Sequence, residues 1–140
     1  MKADRDVVLA KASTIRKATG TIRDLPALVP QPDKEWMRQD LAVLNLQRAA
    51  EACIDLANHL IAENGWEVPR DARNAFEILA NRGALSGELL VAMRSVVGFR
   101  NVAVHDYTTL DPAVVRAIVE KNIGDLERFA ATVVESLDLT

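Results

Sequence analysis

Apolar residues recur at alternating spacings of three and four along five separate segments of this chain. Nowhere do they alternate with polar residues as a half-buried strand requires. That period gathers each set onto one side of a helix, so every segment has a face that must be buried against another helix. The first segment, about residues 4–25, carries Val8, Ala12, Ile15, Ala18, Ile22 and Leu25. Pro26, Pro30 and Pro32 predict its end and a stiff linker, because an interior proline removes a helix hydrogen bond and clashes with the preceding turn. The second runs from Asp33, a good N-cap, to about Glu63, with Ala42, Leu46, Ala49, Cys53, Leu56 and Leu60 inward. Gly65 and Pro69 then break the chain. Asp71 predicts the cap of a short helix with Ala72, Phe76 and Leu79 inward, stopped near Gly83. Ser86 caps a fourth segment reaching about Tyr107. Asp111-Pro112, a cap followed by proline at the first helical position, opens the fifth, with Val115, Val119, Leu126, Phe129, Val133 and Leu137. The expectation is an all-α fold: an up-and-down bundle of four long helices and one short one, forming a single domain over residues 1–140.

Half of the 140 residues are apolar (49%), enough for a core without covalent staples. Cys53 is the only cysteine, so no disulfide can form within one chain. The charged start, Met1 to Asp6, leads into no signal-peptide apolar run, and no stretch approaches the roughly 20 apolar residues of a membrane span. These features predict a cytoplasmic protein with no membrane partner. The net charge of −3 argues against a general nucleic-acid coat, whose binding comes from neutralising phosphates, but leaves room for a local basic site. Two histidines and one cysteine, scattered along the chain, make no metal-ligand cluster.

The fourth segment has two contrasting stripes. One reads Met93, Val97, Arg100, Val104, Tyr107, an apolar seam interrupted by a cation that must be paired or face a cleft or a partner. The other reads Arg94, Gly98, Asn101, His105. Glycine in a helix interior costs about 1 kcal/mol relative to alanine, so Gly98 points to close approach by a backbone or a ligand. Arg100 and His105 are five apart, roughly 140° round a straight helix, so they are expected to flank one cleft. A phosphodiester suits that spacing: arginine neutralises phosphoryl oxygens, and histidine gains or loses a proton near neutral pH. The spacing fits equally an interface arginine and a histidine favoured at a helix C-terminus. On the second segment Arg48, Glu51, Asp55 and His59 share one side, either as a salt-bridged face or with Arg48 or Glu51 orienting Arg100. His59 reads as a surface residue beside Asp55, Cys53 as a buried apolar residue, and Trp36 and Trp66 as packing or interface anchors.

The string from Gly98 to Tyr107 resembles the signature of the HepT family of HEPN-domain proteins: Arg, four residues, His, one residue, Tyr, with a polar residue directly after the Arg. The likeness continues through Leu44–Leu56, Ala75–Leu79 and the Leu110-Asp111-Pro112 turn, and covers about Asp40 to Phe129. It implies a HEPN-like bundle acting as a homodimer and cutting RNA without metal, the toxin of a type VII HEPN/MNT toxin–antitoxin pair. Arg100 and His105 would then be the catalytic pair, with Asn101 in support. The implied partner is a minimal nucleotidyltransferase (MNT) antitoxin that uses ATP and transfers AMP onto Tyr107, while the chain itself needs no cofactor. Tyr107 lies nearly two turns beyond Arg100 and returns to its side if the helix persists. The alternative is a non-catalytic HEPN adaptor that binds and serves a nucleotidyltransferase without using His105 as a proton carrier.

Overall fold

Each amphipathic segment becomes a helix in the computed structural model, which describes residues 1–137; the last three residues of the expected domain lie outside them. The helices are α1 (Arg5–Leu28), α2 (Glu35–Glu63), α3 (Ala72–Asn81), α4 (Gly87–His105) and α5 (Pro112–Glu135), and no strand occurs among the described residues. One hydrophobic core draws residues from all five. The α1 stripe from Val8 to Leu25 is buried throughout, as is the α2 stripe from Ala42 to Leu60.

Local chemistry sets most boundaries. Asp71, Ser86 and Asp111 accept backbone N–H bonds from Asn74, Leu89 and Ala113, each satisfying an orphan donor of its helix. Gly65 and Gly83 adopt positive φ (64° and 76°) just past α2 and α3. The residues after them donate back to the helix ends, Trp66 N to Ile61 O at 3.0 Å and Ala84 N to Leu79 O at 2.8 Å.

Three boundaries differ from expectation. α1 runs through Pro26 to Leu28. Proline in the last turn forfeits a single bond there, while Leu25 beside it stays buried. Pro30 makes the stop instead, forcing Val29 out of the helical region (φ −130°, ψ 76°). Asp33 does not cap α2; it lies in a 3₁₀ turn, Pro32–Lys34, and α2 starts without a side-chain cap. Arg38 secures this corner, donating to the carbonyls of Val29 and Gln31 (2.6 and 2.8 Å) and pairing with Glu35 at 2.7 Å. Finally, α4 ends at His105, and Tyr107 belongs to a separate 3₁₀ turn, Tyr107–Thr109. Short polar side chains compete with the helix at that point: the Thr109 N–H and hydroxyl both donate to Asp106 O, and the Thr108 hydroxyl to the Asp106 carboxylate.

α2 packs against each of the other four helices. It therefore buries Val43, Ala50, Ile54, Ala57 and Ile61 in addition to its predicted stripe. Cys53 is fully buried, and burial pushes its thiol far above the ordinary value, which makes it inert as a nucleophile. Trp66 packs half-buried at the end of α2 with the Arg82 guanidinium over its ring, whereas Trp36 is exposed beside Lys34.

Candidate active site

α4 carries Arg100 on its core-facing row. Val96, Val97 and Ala103, all buried, share that side of the helix. The arginine side chain is only 20% exposed, and its Nε lies 3.1 Å from Glu51 Oε1 on α2. That distance makes an ion pair, but the carboxylate oxygen is off the N–H direction, so the buried Nε makes no hydrogen bond. The terminal guanidinium nitrogens make no hydrogen bond among the described residues. Glu51 thus holds the stem of the fork and leaves its prongs available for an anion. Of the four charged residues aligned on α2, this is the one that reaches Arg100. Asp55 pairs with Lys11 at 2.8 Å, and Arg48 has no ion-pair partner among the described residues. His59 is not a free surface residue: its Nε2 accepts the backbone N–H of Asp4 at 3.0 Å, fastening the start of α1.

His105 is the last residue of α4 and is exposed, with neither ring nitrogen hydrogen-bonded among the described residues. Asn101, one turn earlier on the same side, is half-buried. Arg100 faces α2 and His105 faces solvent. Neither lines the cavity beside Arg94 and Gly98 or the one beside Tyr107. The apolar seam is also split. Met93 and Val97 are buried, but Val104 is 54% exposed and Tyr107 47%, and Leu44 on α2 is exposed as well.

Tyr107 lies beyond the end of α4, so the persisting helix on which its return to the Arg100 side depended is not present. The break at Asp106 carries it to the N-terminal part of α2, where its hydroxyl donates to Asp40 Oδ1 at 2.5 Å. This hydrogen bond, aided by partial burial, raises the phenol above its ordinary pKa. Asp40 is a residue that sequence reasoning did not single out; nothing in local spacing joins positions 67 apart.

Gly98 owes its approach to a side chain of this same chain. A Cβ placed there would stand 3.1 Å from Arg73 Nη2 on α3. Because that atom ends a flexible arm, it can yield by a few tenths of an ångström. Gly98→Ala is therefore expected to raise stability by about 0.5–1 kcal/mol through helix propensity. Urea unfolding checks this, and a loss of stability would mean that Arg73 is held rigidly over α4.

Among the described residues, no group of three or more His, Cys, Asp or Glu is placed to share a metal ion, and no helix is long and apolar enough to cross a membrane. The family described as Ribonuclease HepT-like matches residues 15–133. The mRNA nuclease HepT of Shewanella oneidensis is 34% identical over 124 residues, 89% of this chain and 93% of that protein. The fold superposes with a TM-score of 0.85 on the tri-AMPylated Shewanella oneidensis HEPN toxin in complex with its MNT antitoxin, at 32% identity over 94% of this chain and 98% of that one. A toxin–antitoxin structure with AMP-PNP matches with the same TM-score at 31% identity, over 94% of this chain and 99% of that one. In sequence along most of its length, and in the bundle that the sequence builds, the chain belongs to the Ribonuclease HepT-like family.

Proposed function

We propose that this chain is a metal-independent RNA endonuclease, the cytoplasmic toxin of a type VII HEPN/MNT pair. Arg100 and His105 form its catalytic pair, Asn101 supports them, and Tyr107 is the residue that the antitoxin AMPylates. The observation that carries this reading is the intact Arg-Asn…His…Tyr signature at the end of α4, with the prongs of Arg100 unengaged and His105 open to solvent. Its support from relatives is the mRNA nuclease that shares most of this sequence and the AMPylated toxin that shares this fold. Arg100 would hold the non-bridging oxygens of a phosphodiester and offset their developing charge. His105 would take the 2′-hydroxyl proton as that oxygen attacks phosphorus; the P–O5′ bond breaks, and the 5′-oxygen leaves with a proton. The products are a 2′,3′-cyclic phosphate and a 5′-hydroxyl end.

The site reaches completion in a homodimer. Arg100 and His105 look to different sides of α4, and Val104, next to His105 along the chain, is an exposed apolar residue that a second copy can cover. A two-fold axis near α4 would bring both copies of the signature together, since such an interface is self-complementary. ATP serves the nucleotidyltransferase partner, in keeping with the AMP-PNP complex of a similar toxin–antitoxin pair; this chain takes no cofactor of its own.

The test is RNA cleavage by the purified protein in EDTA. Cleavage that survives the chelator and leaves a cyclic phosphate is expected. An absolute need for Mg²⁺, or activity on DNA alone, would overturn the mechanism. A protein that binds the nucleotidyltransferase and cuts no RNA would be the adaptor instead.

A further inference from the structure

Tyr107 and Asp40 are brought together by two independent devices. The α4 helix stops at His105, and the turn that follows is tied to itself through Asp106 and Thr109. On the other side, Gln39 Nε2 of α2 donates to Pro112 O at the start of α5, holding the N-terminal part of α2 against the end of that turn. Leu110, packed against the core, closes the segment between them. The phenol is thereby presented on a fixed base, half-exposed, with its proton directed onto a carboxylate.

We propose that Asp40 is the proton acceptor for AMP transfer onto Tyr107, so that this chain supplies the base for its own modification. The proposal rests on the reading that a nucleotidyltransferase AMPylates Tyr107. A phenol is a weak nucleophile while protonated, and a carboxylate at hydrogen-bond distance keeps the proton on the phenol in the resting state. The proton must then leave as the new bond forms. Tyr107 Oη donates an electron pair to the α-phosphorus of ATP. The bond from that phosphorus to the α,β-bridging oxygen breaks, and its electron pair departs with pyrophosphate. The hydroxyl proton passes to Asp40 and from there to solvent. An aspartate accepting the proton of an attacking hydroxyl is the arrangement that protein kinases use for the same class of displacement. The remaining residues of this cavity, Gln39, Val43, Thr108, Leu110 and Val115, include no other titratable side chain to take the proton.

Asp40→Asn separates proton transfer from docking, because the amide oxygen still accepts the phenol hydrogen bond but cannot hold its proton. The full chain is mixed with its MNT-type nucleotidyltransferase and Mg-ATP, and single-turnover formation of the Tyr107 adduct is followed by mass spectrometry. The expected result is a rate about 10²–10³-fold lower in Asp40→Asn. The variant's rate should rise about tenfold per pH unit as hydroxide replaces the lost base, a slope that wild type lacks above neutral pH. Asp40→Glu is expected to recover most of the rate. Asp40 is exposed, and unchanged circular dichroism shows that the variant is folded. Wild-type adduct with equal rates in Asp40→Asn overturns this proposal alone. A slow Asp40→Asn with an unchanged pH profile and no recovery by glutamate also overturns it, reducing Asp40 to a structural contact. No adduct on wild-type Tyr107 overturns the AMP-transfer reading itself and this proposal with it.

Discussion

Arg100→Ala and His105→Ala are each expected to lower RNA cleavage by at least about 10²-fold while leaving the bundle folded. For Arg100 the loss is that of a preorganised cation facing transition-state charge, about 10²–10³ in rate. For His105 it is that of a positioned proton carrier, about 10²–10⁴. The fold should tolerate both changes. Glu51, freed of its partner, is half-exposed and rehydrates, and His105 is a surface residue with no hydrogen bond to lose among the described residues. Arg100→Lys should be nearly as damaging as alanine. An ammonium cannot keep Nε against Glu51 while offering two further donors in a plane to a phosphate. Initial rates on a structured RNA, with melting curves to confirm folding, decide the matter. Full activity in a folded His105→Ala protein would move the chemistry off this histidine and favour the adaptor.

Phe129→Ala should remove about 3–5 kcal/mol of stability, among the largest effects of any single truncation in this core. Phe129 and Phe76 are both completely buried and meet edge to face, with ring centroids 5.4 Å apart and planes at 76°. This contact joins α5 to the short helix α3, whose ten residues have little intrinsic stability of their own. Truncating one ring opens a cavity and leaves the other without its aromatic partner, itself worth about 0.5–1.5 kcal/mol. Domains of this kind have only about 5–15 kcal/mol in total, so the variant approaches the limit of folding. Chemical denaturation measures the loss, and Phe129→Leu, which keeps most of the volume, should cost markedly less. A loss below about 1 kcal/mol would mean that the core relaxes around the missing ring.

The fold was legible in this sequence wherever its cause is local. Every residue that the three-and-four spacing placed inward on α1 and α2 is buried, and Asp71, Ser86 and Asp111 each cap the helix they precede. Gly83 stops α3 because a left-handed residue is needed there and only glycine adopts it without strain. The signature that spans the end of α4 and the following turn is equally local, which is why Arg100, Asn101, His105 and Tyr107 stand out as candidates in one short string. Pro26 and Asp33 misled because their effects depend on context: a proline three residues from a helix end costs little, and a 3₁₀ turn can displace a cap.

What one segment does to another was decided only by tertiary structure. That α2 would bury several faces follows from its place among four neighbours, and a period of 3.6 shows a face only relative to one of them. The pairing of Glu51 with Arg100, of His59 with the Asp4 backbone and of Arg73 with the space above Gly98 each joins separate helices. Tyr107 shows the division most clearly. Helical arithmetic placed it relative to Arg100 only if α4 persisted; α4 ends at His105, and Asp40, 67 residues away, accepts its hydroxyl hydrogen bond. The sequence determined by itself the helices, their inward stripes and most of their caps, because periodicity and capping act over a single turn. Their facing depended on contacts across long loops of chain, which carry no spacing signal and form only when the helices pack.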